Sequence, residues 1–277
     1  MEFGIEVKKL LALALEEDLP FGDLTTDNLI DGSSVSKAIL ISKQDGIIAG
    51  LSVAERVFKM LDERILFIKH IKDGDQVNKG DIIAEIEGNT RAMLKAERTS
   101  LNMLQHLSGI ATKTREFCNR VSGLPVKIVD TRKTTAGHRM LEKYAVRVGG
   151  GSNHRFCLSD GVLIKDNHIQ AAGGIRKAIE KSRMSIPHTA KIEVETETME
   201  QVEEAVLAGA DIIMLDNMSI NDMKKAVEFI NKRALVEASG NVSLESVFEI
   251  AKTGVDIISV GSLTHSVSAF DISMKFK

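Results

Sequence analysis

The sequence predicts an α/β protein in two parts: a mixed N-terminal segment, then successive βα units of an incomplete barrel. Three observations carry this expectation. First, short apolar runs rich in β-branched residues recur through the second half, each ending in polar residues and followed by a helical stretch: VKIVDTRK, GVLIKDNH, KIEVETET, DIIMLDNM, ALVEASGN and DIISVGS. Second, one polar marker at each of the last five strand ends (Lys165, Glu195, Asp216, Ser239 and Gly261) gives steps of 30, 21, 23 and 22 residues. Third, the runs are nearly continuous in apolar character, as strands must be when helices cover both faces of a parallel sheet. Six such strands fall short of a closed barrel, so six or seven are expected.

Along the chain, MEFGIEVKKLLALALEEDLP reads as an amphipathic first helix. Glu2 and Glu6 precede its apolar run, and Leu10–Leu15 is too short before Glu16-Glu17-Asp18 for a secretion signal. Residues 71–88, IKDGDQVNKGDIIAEIEG, alternate around Asp73-Gly74 and Lys79-Gly80 and predict hairpins. The same stretch resembles the small fold of biotinyl and lipoyl carriers, but no lysine is displayed at the turn, so packing is its expected role. A helical pattern occupies about 91–122, opening with TRAMLKAERTSLNMLQHLSG, and the βα units then begin.

Composition narrows the function. A chain of 277 residues with a formal net charge of -3 is not built to coat nucleic acid through a basic surface, so any phosphate binding must come from a local cluster of cations. No apolar stretch reaches the length of a membrane span. Cys118 and Cys157 have no metal-ligand spacing, which predicts free thiols in a reducing compartment and a cytoplasmic protein. No G-x-G-x-x-G follows the first strand, and no P-loop motif occurs.

In a parallel α/β architecture, strand C-termini converge on one rim, where the chemistry is expected. Arg132, Lys133, His154, Arg155 and Lys165 place five potentially cationic groups within 34 residues of an acidic chain, which points to an anionic ligand. Lys143 and Arg147 are expected on solvated surface instead. Glu193 and Glu195 share a face of their strand, and Asp216 ends the next. These carboxylates suit Mg²⁺ on a phosphorylated substrate, stabilisation of a developing positive charge, or an ion pair with Lys165. Small turns at Ser239-Gly240 and at Gly261 suit a phosphate, with His265 nearby. The glycine triplet 149–151 invites a phosphate-loop label, yet it reads better as a tight loop that brings His154 and Arg155 to the rim.

These motifs together resemble the quinolinate phosphoribosyltransferase family. The resemblance covers nearly the whole chain: EEDLPFGDLTTD, AERTSLNMLQHLSGIAT, DTRKTTAGHRMLEKYAVRVGGGSNHR, LSDGVLIKDNHI, KIEVETET, IIMLDNM, EASGNV and SVGSLTHS. Ala136 departs from the family's usual proline, which bears on local rigidity rather than chemistry. The resemblance implies an N-terminal α/β open sandwich over 1–108, to which the tail 266–277 returns, and an incomplete α/β barrel over 109–265. It also implies a homodimer in which Arg98 completes the neighbouring site. By the same resemblance Arg98, Arg132, His154, Arg155 and Lys165 bind quinolinate. Lys133, Glu195, Asp216, Ser239, Gly240, Gly261 and His265 take phosphoribosyl pyrophosphate. Mg²⁺ is held at Glu195 and Asp216, and Lys165, Glu195, Asp216 and Lys133 carry the catalysis. The implied reaction is decarboxylating phosphoribosyl transfer that yields nicotinate mononucleotide for NAD synthesis. Three rivals stand beside it: a molybdenum-transport-associated relative, a non-catalytic carrier built on 71–88, and another phosphate-binding barrel such as an isomerase or synthase. The intact KDNH at 165–168 favours the quinolinate enzyme over the first.

Overall fold

The computed structural model describes residues 4–277; Glu2, part of the charge read ahead of the first apolar run, lies outside them. The chain divides into two compact units. One holds the chain up to Arg115, Thr134–Gly150 and Thr264–Lys277, and the other holds Glu116–Lys133 and Gly151–Leu263. The break between the units lies at Arg115/Glu116, in the same long helix that contains the expected division at 108/109, and Thr134–Gly150 groups with the first unit.

The first unit contains helices α1 (Ile5–Asp18), α2 (Leu24–Leu29), α3 (Leu51–Leu61), α4 (Thr90–Arg120, its last residues passing into the second unit) and α5 (Arg139–Val148). Its strands are β1 (Val35–Ser42), β2 (Gly46–Ile47), β3 (Leu66–Lys69), β4 (Gln76–Val77) and β5 (Ile82–Asn89). Leu11, Leu40, Phe58, Ile83, Ile86 and Met93 are fully buried, so α1, α3 and α4 pack their apolar sides with the sheet in one core. Asp23 caps α2 through the Thr25 and Thr26 amides, at 3.0 Å each.

The hairpins expected within 71–88 do not form. Gly74 and Gly80 do turn the chain, at φ 97 and 101. However, the flanking segments find other partners: β4 pairs with β2, and β5 lies between β1 and β3 in the antiparallel order given by these strands and the final one. A glycine turn fixes where the chain reverses, whereas burial of alternate residues selects the partner. Lys143, expected on solvated surface, is instead fully buried on the inner side of α5.

The second unit contains β6 (Lys127–Val129), β7 (Val162–Ile164), β8 (Ile192–Thr196), β9 (Ile212–Asp216), β10 (Leu235–Ser239) and β11 (Ile257–Ser259). Between and after them lie α6 (Asp166–Ala172), α7 (Ile175–Ser185), α8 (Met199–Leu207), α9 (Ile220–Ile230), α10 (Val247–Ala251) and α11 (Ser262–His265, its end reaching the first unit). The final strand, β12 (Ile272–Phe276), returns to the first unit and pairs antiparallel with β1, completing the order β12-β1-β5-β3.

All six strands of the second unit are parallel, in the order β6-β11-β10-β9-β8-β7. The first two strands in sequence are thus the two edges. Val129 and Val162, one from each edge, line a single cavity with Ile212 and Ile257, so the sheet curls into a barrel left open between β6 and β7. Two aspartates lock neighbouring strand starts: Asp211 Oδ2 accepts the Ile192 N–H, and Asp256 Oδ2 accepts the Val236 N–H, both at 2.8 Å. Among the described residues no helix is long and apolar enough to cross a membrane.

Candidate active site

At the C-terminal ends of these strands lies a cleft of about 390 Å³. Its lining includes Arg132, Lys133, His154, Arg155, Lys165, Glu195, Asp216 and Ser239, eight of the residues expected at the rim. Ser239 pairs in register with Asp216, which puts the small turn beside the carboxylate.

The cationic wall is built by β6 and the segment after the glycine triplet. Gly149 ends α5 where an added Cβ would stand 2.5 Å from the Ala111 carbonyl oxygen and 2.6 Å from Thr114 Cβ, and Gly150 adopts φ 102. No phosphate cradle is needed to explain either residue. The chain then runs parallel beside β6, with the Ser152 N–H donating to the Ile128 carbonyl at 2.8 Å. Fully buried Asp130 fixes the next two residues: it accepts Asn153 Nδ2 at 2.5 Å and the His154 N–H at 2.9 Å. Arg155 Nη1 donates to the Gly161 carbonyl at 2.8 Å. Burial pushes the Arg155 pKa down and neighbouring Arg132 adds to this, against the pull of Glu193 and Asp160.

Lys165 stands at the start of α6, where its backbone N–H donates to His168 Nδ1 at 3.0 Å. The KDNH motif thus closes on itself, its histidine holding the lysine at the strand end. The Lys165 ammonium pairs with Glu195, realising the ion pair left open by the sequence. Asp216 accepts from its neighbour Asn217 at 2.9 Å. Asn217, Gly240 and Asn241 all have positive φ (54, 90 and 46), and Asn241 Nδ2 donates to Asn217 Oδ1 at 3.1 Å. Left-handed backbone concentrated beside two strand ends stores strain at this rim.

Beneath the rim lie a histidine and two carboxylates. His154 Nε2 is 3.1 Å from Glu193 Oε2 and 3.6 Å from Glu237 Oε2, and Glu193 and Glu237 are buried. The three ligand-type atoms lie within 4.8 Å of one another, a spacing open to a metal ion. The tautomer argues otherwise. His154 Nδ1 accepts the Arg155 N–H at 2.8 Å, so its own proton sits on Nε2 and is directed at the carboxylates.

The remaining expected residues divide between the two units. Gly240 directly follows the cleft-lining Ser239, and Gly261 follows β11. Arg98, exposed on α4, and His265, whose Nδ1 is 2.6 Å from Ser266 Oγ, belong to the first unit. Sequence reading missed Asp130, Asn153 and Glu237. Only Glu237 left a usable signal: it precedes Ser239 by two residues, as Glu193 precedes Glu195.

Comparison with known proteins adds the family context. The family model described as quinolinate phosphoribosyl transferase, C-terminal domain, matches residues 110–275, and its N-terminal domain matches 23–108. A probable nicotinate-nucleotide pyrophosphorylase [carboxylating] of Bacillus subtilis is 48% identical over 270 residues, spanning 98% of this chain and 93% of that protein. A mitochondrial quinolinate phosphoribosyltransferase [decarboxylating] of Nicotiana tabacum is 43% identical over 98% of this chain and 82% of its own. Among solved structures, NadC from Streptococcus pyogenes superposes with a TM-score of 0.96 at 42% identity, covering 100% of this chain and 99% of that one. The nicotinate-nucleotide pyrophosphorylase from Francisella tularensis does so with a TM-score of 0.94 at 40% identity, covering 98% and 96%.

Proposed function

The chain belongs to the quinolinate phosphoribosyltransferase family, and we propose that the rim cleft of its barrel is where the reaction takes place. The enzyme transfers the phosphoribosyl group of phosphoribosyl pyrophosphate to quinolinate with loss of CO2, giving nicotinate mononucleotide and pyrophosphate in NAD biosynthesis. One observation carries the site: Arg132, Lys133, Arg155 and Lys165 share a cleft with Glu195, Asp216 and Ser239. A dicarboxylate and a phosphorylated sugar need that combination of charge.

In this reading Arg132, Arg155 and Lys165 engage the two carboxylates of quinolinate, with Arg98 of a second copy closing the pocket. His154 orders the wall from behind, both its ring nitrogens being engaged within the protein. Ser239, Gly240 and Gly261 seat the 5-phosphate. Lys133 meets the pyrophosphate. Glu195 and Asp216 are hard oxygen donors on neighbouring strands of one cleft, a donor set that fits Mg²⁺. Bound there, Mg²⁺ would neutralise charge on the pyrophosphate.

The protein's own part is positioning and electrostatics. As pyrophosphate leaves C1 the ribose ring becomes cationic, and the Glu195 and Asp216 carboxylates face that charge. The pyridine nitrogen attacks C1, and the ring it leaves is positively charged. Breaking the bond to the 2-carboxylate then places an electron pair beside a cationic nitrogen, so the substrate is its own electron sink. Neither cysteine takes part, and neither forms a disulfide, which supports a cytoplasmic enzyme. The test is purified protein with quinolinate, phosphoribosyl pyrophosphate and Mg²⁺, scored for CO2 and nicotinate mononucleotide. Turnover of nicotinate in place of quinolinate overturns the substrate assignment.

A further inference from the structure

Decarboxylation leaves a carbanion that must be protonated, and the charged residues of the rim are poorly suited to do so. Lys165 is paired with Glu195, and Lys133 stands exposed at the top of the cleft. His154 cannot serve. With Nδ1 accepting the Arg155 N–H, release of its only ring proton would leave an imidazolate.

The layer below offers an acid. Glu193 and Glu237 each precede a rim residue by two positions, so their side chains point to the same inner face one step deeper. They are 4% and 1% exposed, and one carboxylate oxygen of each, Oε1, is buried without a hydrogen-bond partner. Of their other oxygens, Glu193 Oε2 lies 3.1 Å from His154 Nε2, within reach of its single N–H, and Glu237 Oε2 lies 3.6 Å from it, near but not bonded. Two buried carboxylates around one donor resist joint ionisation. Facing Glu237 are Glu193 from β8, the His154 ring, the Ser259 hydroxyl from β11 and, across the cavities, Arg132, Lys133, Arg155, Lys165 and Lys191 together with the carboxylates of Asp160, Glu195 and Asp216. Burial first, then the Glu193 charge, pushes Glu237 up to about 7. Glu237 also borders two cavities, the rim cleft and a lower one of about 280 Å³ that reaches Lys191 and Gly161.

We propose that Glu237 is the acid that delivers the proton replacing the departing 2-carboxylate, held in the cleft floor by His154 and Glu193. This rests on the reading of the rim cleft given above. The bond from C2 to its carboxylate breaks, CO2 leaves, and the electron pair stays on C2. C2 takes the Glu237 proton, and the Glu237 carboxylate regains one from water in the lower cavity. The net proton comes from solvent, as the overall decarboxylation requires.

The experiment measures kcat and KM of the wild type, Glu237→Gln and Glu237→Asp between about pH 6 and about pH 9. Absence of wild-type nicotinate mononucleotide formation counts against the assignment of the reaction itself, which separates that failure from this one. With an active wild type, kcat falls as pH rises through about 7, because the protonated form is the active one. Glu237→Gln lowers kcat on the order of 10²-fold at acidic pH, leaves both KM values within about threefold, and abolishes the pH limb. Glu237→Asp restores part of kcat and keeps the limb. A Gln variant with an unchanged melting profile and kcat within about threefold of wild type overturns the proposal. So does a loss expressed in KM alone, or a wild-type kcat that is flat over this range. The wild-type profile decides the matter even when the Gln variant does not fold.

Discussion

The Asp130 carboxylate holds His154 by its backbone: Oδ1 accepts the His154 N–H at 2.9 Å while Oδ2 accepts Asn153 Nδ2 at 2.5 Å. One buried side chain at the end of β6 therefore sets where the next segment presents Arg155. Asp130→Ala leaves a half-buried N–H without its acceptor, at a cost of about 1–3 kcal/mol. Denaturant unfolding should register that loss. The quinolinate KM should rise by about an order of magnitude, with a smaller change for phosphoribosyl pyrophosphate, since the displaced residues lie on the dicarboxylate wall.

Lys165 is fixed at both ends, through its backbone by His168 and through its ammonium by Glu195. Lys165→Ala should reduce turnover by a factor on the order of 10², as for other charge partners of a transition state. His168→Ala keeps the ammonium but frees its anchor, so its loss should be smaller, about tenfold. Steady-state kinetics on both variants, with folding checked by circular dichroism, tests the order. Unchanged turnover in a folded Lys165→Ala protein removes the residue from the mechanism.

Gly240 has φ 90, and an added Cβ would lie 2.3 Å from Asn217 Oδ1. Gly240→Ala therefore forces a non-glycine residue into left-handed backbone and displaces the Asn217–Asn241 bond. The strain is about 1–3 kcal/mol. Its functional effect should fall on phosphoribosyl pyrophosphate, seen as a raised KM for that substrate with quinolinate binding retained. Equal weakening of both substrates would place the phosphate elsewhere.

Asp211 gives the fold a defined acid sensitivity. Burial raises its pKa, but the Ile192 N–H and the Arg183 guanidinium outweigh burial and leave it below the ordinary carboxylate value. A depressed carboxylate adds stability that is fully present above the unfolded value, about 3.9, and is lost as pH falls through the folded one. Asp211→Asn should therefore be less stable than wild type near neutrality. The gap should narrow as pH is lowered below about 4, measured by urea unfolding at each pH.

The strand ends were legible because a polar residue closing an apolar run has few structural reasons to be there. Lys165, Glu195, Asp216 and Ser239 all line the cleft for that reason. Glu237 left only its two-residue step before Ser239 as a signal. It sits inside its strand rather than at the end, and a buried carboxylate looks like any other charge until its neighbours are known. Lys143 misled in the same way, because a charged residue on a helix reads as surface while its burial depends on what the helix packs against. The glycines at 74 and 80 fixed turns but not partners, so β4 and β5 paired elsewhere. Thr134–Gly150 could not be assigned to its unit from pattern alone, since nothing in a helical stretch names the surface that will cover it.

Arg98 tests the proposed homodimer most directly. It is exposed on α4 in the first unit, while the cleft it is proposed to complete lies in the second. An arginine suits that task because its rigid fork engages a carboxylate in two bonds, which Lys cannot imitate. Arg98→Ala and Lys165→Ala should each be nearly inactive as separate homodimers. When the two are mixed and allowed to exchange subunits, half of the dimers formed at random carry both substitutions on different chains. In each of these, one of the two sites collects both defects and the other has neither. Activity should therefore return to about a quarter of the wild-type level, the sites acting independently. Sedimentation or mass measurement establishes that exchange has occurred. No recovery in an exchanged mixture means that Arg98 serves the site of its own chain or none.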